Sequence, residues 1–129
     1  MITCRIEFAY FPAFVSSLRR YARQIPNLKK DLTEIFQRIE TKGLLTREAI
    51  GKGVYKVRVP LQDRHSGARG GGRLLLLRHQ KIVIPFLFYL KSEYEDAPEE
   101  LFRRRLEELR DQIAQQPPLP IPDQPRFQP

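Results

Sequence analysis

The chain has 129 residues, 41% of them apolar, and a formal net charge of +8, which suits one domain with a real core and is too short for two ordinary ones. Its single cysteine, Cys4, excludes a disulfide within the chain and a cysteine metal cluster, and points to a reducing compartment such as the cytoplasm. The longest apolar runs, residues 74–77 and Ile82–Leu90, fall far below the roughly 20 residues a bilayer-spanning helix needs, and no secretion signal is visible at the N-terminus.

Ile2, Cys4, Ile6 and Phe8 alternate with Thr3, Arg5 and Glu7, the period-two signature of a half-buried strand with Cys4 facing the core. From Pro12 the period changes. Phe11, Phe14, Val15, Leu18 and Ala22 share a helical face, and Ile25-Pro26-Asn27 ends that helix because proline disfavours the helical conformation in the residue before it. Leu28, Leu32, Ile35, Phe36 and Ile39 predict a second helix, with Gly43 as its C-terminal cap, so a helical hairpin is expected.

Residues 44–53 form a connector without a clear period. After it Tyr55, Val57, Val59 and Leu61 alternate with Lys56, Arg58 and Pro60, a strand whose basic pair opposes its buried face. A loop rich in glycine and arginine, residues 62–72, leads to an apolar strand at 74–77 and a turn at His79-Gln80. Residues 81–91 are almost wholly apolar and predict a central strand, in which Pro85 demands a bulge or an edge position. Asp96-Ala97-Pro98-Glu99 resembles a helix N-cap, and Phe102, Leu106, Leu109 and Ile113 predict a third helix ending near Gln116. Six of the last thirteen residues are proline, so 117–129 is expected to be an extended or disordered tail to a single domain over 1–116. The expected fold class is α+β: an N-terminal strand and two-helix hairpin packed on a mostly antiparallel twisted sheet, with a C-terminal helix.

Charge is distributed unevenly along these elements. Residues 51–91 hold nine Lys or Arg against one acid, Asp63, while the rest of the chain carries fourteen of each sign. A sheet that concentrates all the excess positive charge points to a polyanion, most simply the backbone of a nucleic acid. Lys56 and Arg58, about 7 Å apart on one strand face, can grip a phosphate, although a solvated face is the commoner reading of Lys-x-Arg. The loop from Ser66 to Arg73 can offer backbone N–H groups and two guanidinium forks to an anion, or serve only as a soluble hairpin loop. It is not a P-loop, since no Gly-Lys-Ser/Thr follows. Tyr89 and Lys91 share a strand face, and a tyrosine ring can stack on an unpaired base. His65 and His79 fall in loop or turn positions and read as surface residues.

In this order the runs Tyr55-Lys56-Val57-Arg58-Val59, Ser66-Gly67-Ala68-Arg69-Gly70-Gly71-Gly72-Arg73-Leu74 and Phe88-Tyr89-Leu90-Lys91-Ser92-Glu93 resemble the RelE/HigB branch of bacterial toxin–antitoxin toxins. The resemblance spans about residues 5 to 110, with specificity in the three runs. The family's usual loop, Gly-Lys-Ser-Gly-Gly-x-Arg, is shorter than the one here; Arg73 takes the place of its active-site arginine because it leads directly into the strand, and Arg69 is the alternative. Pro85 and the proline-rich tail also depart from the pattern.

The resemblance implies a metal-independent, cofactor-free mRNA endoribonuclease of the cytoplasm, associated with the ribosome and held in check by a cognate antitoxin protein. Attack of a ribose 2′-OH on the adjacent phosphorus would leave a cyclic phosphate and a free 5′-OH. The resemblance assigns Lys56 to general base or phosphate ligand, its pKa lowered by neighbouring cations. It assigns Arg58 and Arg73 to phosphate stabilisation, Tyr89 to orienting or stacking the base, and Lys91 to leaving-group or phosphate support. Lys52, Arg64, Arg69, Arg78 and Lys81 are the expected RNA-binding residues around them. The competing expectations are a non-catalytic RNA-binding module and an inactivated toxin relative that acts through protein partners.

Overall fold

The computed structural model describes residues 4–64 and 70–118, with Arg64 described in its backbone only. The chain runs through β1 (Arg5–Ile6), α1 (Pro12–Gln24), α2 (Leu28–Lys42), β2 (Ala49–Gly51), β3 (Val54–Val59), β4 (Gly72–His79), β5 (Ile82–Leu90) and α3 (Glu99–Gln115). Five strands form one sheet in the order β1-β5-β4-β3-β2, with β1 parallel to β5 and every other pair antiparallel. The architecture is α+β, with the N-terminal strand, helical hairpin and C-terminal helix in the expected order.

Each helix forms where its apolar residues recur at helical spacing. Pro12 occupies the first turn of α1, where its missing N–H costs nothing, and Phe14, Leu18 and Tyr21 are buried. Leu28, Leu32, Phe36 and Ile39 bury one side of α2, which ends at Gly43 with φ of 81°, a conformation that favours glycine. Val57 and Val59 of β3, Leu74 of β4 and Phe88 of β5 are almost wholly buried. The Tyr21 ring meets Phe88 edge-on, centroids 5.2 Å apart, which seats α1 on the sheet. On α3, Phe102 stacks on Phe86 at 5.9 Å and Leu109 is fully buried.

Polar groups then tie the layers together. The Glu40 carboxylate accepts the Ile6 N–H at 2.8 Å, which satisfies the backbone of β1 on the side away from β5. Asp63 accepts from both the backbone and the side chain of Asn27, at 2.7 and 2.8 Å, and Asp31 accepts the Gln62 N–H at 3.2 Å. The chain leaving β3 is therefore fastened to the start of α2.

Several expectations change in detail. The 44–53 connector contains a 3₁₀ turn (Thr46–Glu48) and β2, a strand too short to show a period. The β4–β5 turn is Gln80-Lys81, one residue later than expected, with His79 inside β4. Arg5, expected outward, is buried and pairs with Glu7 at 2.8 Å. Asp96 does not cap α3, whose N-cap is Pro98 without a side-chain bond; its carboxylate goes to Lys56 instead. Pro85 meets both of its conditions, a register shift opposite Leu75 and Leu76 and a place past the point where β1 stops pairing. Most of the expected tail, from residue 119, lies outside the described residues.

One glycine at the start of β4 leaves room for the ring of a β5 phenylalanine. A Cβ on Gly72 would lie 2.5 Å from two ring carbons of the buried Phe88. Gly72→Ala is expected to destabilise the protein by about 1–3 kcal/mol through overpacking, measured by denaturant unfolding. An unchanged unfolding midpoint would show that the ring has room to retreat.

Candidate cationic cleft

Period two places Lys56 and Arg58 on one face of β3, and the antiparallel register sets Arg58 opposite Arg73 and Arg73 opposite Tyr89. Directly opposed residues on neighbouring strands share a face, with Cβ atoms about 5 Å apart. Three strands thus deliver Arg58, Arg73 and Tyr89 as one row across the sheet. Lys91, just beyond β5, is fixed at the same end because its N–H donates to the Gly71 carbonyl at 3.0 Å.

Lys56, Arg58, Arg73 and Lys91 line a cleft of about 230 Å³, with Arg47, Glu48 and Ile50 from the β2 side. A second depression of about 460 Å³ shares Arg47, Glu48, Lys56 and Arg58 and extends to Arg38 and Pro60. The one acid among the lining residues, Glu48, is engaged from behind. Arg38 grips both of its oxygens at 3.1 and 2.6 Å, and one of them accepts the Leu45 N–H at 2.9 Å. Positive charge therefore dominates the cleft.

Arg73 is only 5% exposed and donates to the Gly72 carbonyl at 3.0 Å. Burial, and after it the Arg58 guanidinium, push its pKa below the ordinary arginine value. Burial also works against the Lys56 ammonium, but its hydrogen bond to Asp96 at 3.1 Å and the Tyr89 phenol outweigh that, so its pKa ends above the ordinary lysine value. Asp96 is held below the usual carboxylate range by the same pair. Lys91 donates to the Glu95 carboxylate at 3.1 Å and to its backbone carbonyl at 2.8 Å. Two consecutive acids of the β5–α3 link thus occupy the two cleft lysines.

These placements correct two of the expected roles. Tyr89 is 1% exposed and presents no open ring face to a base. Its hydroxyl is sealed from solvent, and nothing among the described residues meets it with hydrogen-bond geometry, although it lies near enough to Lys56 to favour the lysine's charge. Tyr89 lies beside the cations and is no stacking platform. Nor do cationic neighbours lower the Lys56 pKa: burial opposes its charge, and Asp96 and Tyr89 raise the pKa overall.

The surrounding basic residues divide. Lys52 sits in the β2–β3 turn with φ of 58°, its carbonyl accepting from Arg110 at 2.8 Å. Arg78 and Lys81 lie by the β4–β5 turn, Arg78 donating to the Gln80 carbonyl at 3.0 Å. That end of the sheet is about 17 Å along β4 from Arg73, by strand rise, and Arg78 has the opposite facing to Arg73. Lys52, Arg78 and Lys81 are therefore not brought into the cleft. The side chain of Arg64 and all of Arg69 lie outside the described residues.

Sequence reasoning missed Arg47, Glu48, Ile50 and Tyr94. The first three come from the connector, which has no period. Tyr94 carried one available signal, an aromatic residue beside acids directly after the basic strand.

Fold and cleft together define an α+β protein with a cationic cleft built across three adjacent strands. No protein-family model, no curated protein and no solved structure matches the chain. No described helix is long and apolar enough to cross a membrane.

Proposed function

We propose that this protein is the toxin of a toxin–antitoxin pair, an endoribonuclease of the RelE/HigB kind that cuts mRNA in the cytoplasm, in association with the ribosome, and is neutralised by a cognate antitoxin. The observation that carries the reading is the row of Arg58, Arg73 and Tyr89 across three strands, flanked in one cleft by Lys56 and Lys91. Two guanidinium groups side by side suit the non-bridging oxygens of a phosphodiester and the extra charge of its pentacoordinate transition state.

In this reading the 2′-oxygen attacks phosphorus, the O2′–P bond forms as the P–O5′ bond breaks, and the 2′-proton leaves to solvent. A cyclic phosphate and a 5′-OH result. Lys56, its pKa raised, stays charged beside the departing 5′-oxygen and offsets its developing negative charge, while that oxygen takes its proton from solvent. The charge on phosphorus is met by arginine, so the reading calls for no metal ion.

One observation favours a second reading. A protonated Lys56 is no base, and a charged lysine in a cationic cleft is also what a non-catalytic RNA-binding module or an inactivated toxin relative needs. The test is product analysis after incubating purified protein with mRNA, alongside growth when the protein is expressed alone. Cyclic-phosphate ends with growth arrest, both lost in a Lys56→Ala/Arg73→Ala variant, support the toxin. Salt-dependent binding without new ends selects the second reading, and toxicity retained by the double variant rejects the site.

A further inference from the structure

Among the described residues two large apolar side chains stand exposed, Ile50 at 49% and Tyr94 at 44%. One belongs to the cleft wall and the other to the β5–α3 link beside it. Ile50 lines the cleft directly. Tyr94 follows the cleft residue Lys91, and the two residues after it reach back into the cleft, Glu95 to Lys91 and Asp96 to Lys56, each at 3.1 Å. Its ring meets the buried Tyr89 in a T-shaped contact, centroids 6.2 Å apart at 73°. Such a contact engages at most one face of the Tyr94 ring and leaves the other open.

A single exposed apolar side chain needs no explanation, whereas two that bracket a row of cations do. Binding a phosphate draws on charge and hydrogen bonds and gains nothing from an apolar rim. An unpaired nucleobase does gain, because its flat face is hidden from water by an aromatic ring or an aliphatic side chain. Inside a duplex those faces are already stacked, and a deep groove shields the base edges. The buried Tyr89 cannot provide the platform, whereas the ring in contact with it is exposed and can.

Resting on the ribonuclease reading above, we infer that the cleft is built for single-stranded RNA, with a phosphate on the Arg58–Arg73 row, one adjacent base stacked on Tyr94 and the next packed against Ile50. The contact is tolerant of base identity, since every base has a π face. It selects for strand state.

The inference is tested by fluorescence anisotropy at fixed salt with three probes that cannot be cut: a short 2′-O-methyl RNA, its duplex, and a sugar–phosphate oligomer of equal length without bases. The protein is expected to prefer the single strand to the duplex. Tyr94→Ala should weaken binding of the single strand about five- to tenfold, while Tyr94→Phe, which keeps the ring, leaves it unchanged. With the baseless oligomer wild type and Tyr94→Ala should bind alike. Equal affinity of wild type and Tyr94→Ala for the intact strand overturns the inference and leaves the ribonuclease reading standing. An equal loss with the baseless oligomer also overturns it, since the effect would then come through the lysines. If wild type binds none of the probes at low salt, and Arg73→Met binds no differently, the ribonuclease reading falls and carries the inference with it. Thermal melting of each variant confirms that the fold is kept.

Discussion

Arg73→Met is expected to lower RNA cleavage about 10²–10³-fold while leaving the fold intact, the loss that follows removal of a preorganised charge donor from a partly dry site. Arg73 is buried, and the two leading influences on its charge, burial and Arg58, both oppose that charge. Tyr89 and Glu95 favour the charge less strongly, so the net effect is unfavourable to it, as at many functional sites. Methionine keeps much of the apolar stem and removes the charge, so the thermal midpoint should stay level or rise. Arg73→Lys should recover only part of the rate, because an ammonium cannot present the paired donors of the guanidinium fork. Initial rates on a defined RNA and thermal melting of the same samples make the check. A fall of rate and midpoint together would make Arg73 a structural residue, and an unchanged rate would remove it from the site.

Why Arg73 was legible in the sequence, and other features were not, follows from the range of the forces involved. Lys56 and Arg58 are two apart on a strand with alternating apolar partners, so their common face follows from the chain's own geometry. That Arg58 should face Arg73, and Arg73 face Tyr89, depends on strand register, which apolar pairs such as Val57 with Leu74 and Leu74 with Phe88 impose by having to meet in the core. Exposure was harder to read. Tyr89 lies under Lys56 and Tyr94, and neither contact follows from the alternation along β5. Asp96 has the local look of a helix cap, yet its partner lies 40 residues earlier in the chain. Charge density along 51–91 likewise counted Lys52, Arg78 and Lys81 with the site, although the hairpins carry them to the far end of the sheet.

Lys56→Met is expected to reduce cleavage about a hundredfold and Lys56→Arg to retain most of it, a contrast that separates a fixed charge from a base. Burial lowers the Lys56 pKa, the Asp96 hydrogen bond and the Tyr89 phenol raise it further, and the net shift is upward. The ammonium therefore stays charged through neutral and mildly alkaline pH, and the rate should show no rising limb from its deprotonation. A group whose pKa is raised by folding stabilises the fold below its unfolded value and loses that contribution as pH climbs through the raised one, so at neutral pH both partners of the Lys56–Asp96 pair are charged. RNA must then compete with that pair. Asp96 is largely exposed, and such pairs are weak, so Asp96→Asn combined with Glu95→Gln should tighten RNA binding only about two- to fivefold. The neutral amides keep the size of the link and withdraw its charge from both lysines. Weaker binding in that double variant would mean that Glu95 and Asp96 aim the lysines at the phosphate, and a dead Lys56→Arg with a rate that climbs with pH in the wild type would restore Lys56 as the base.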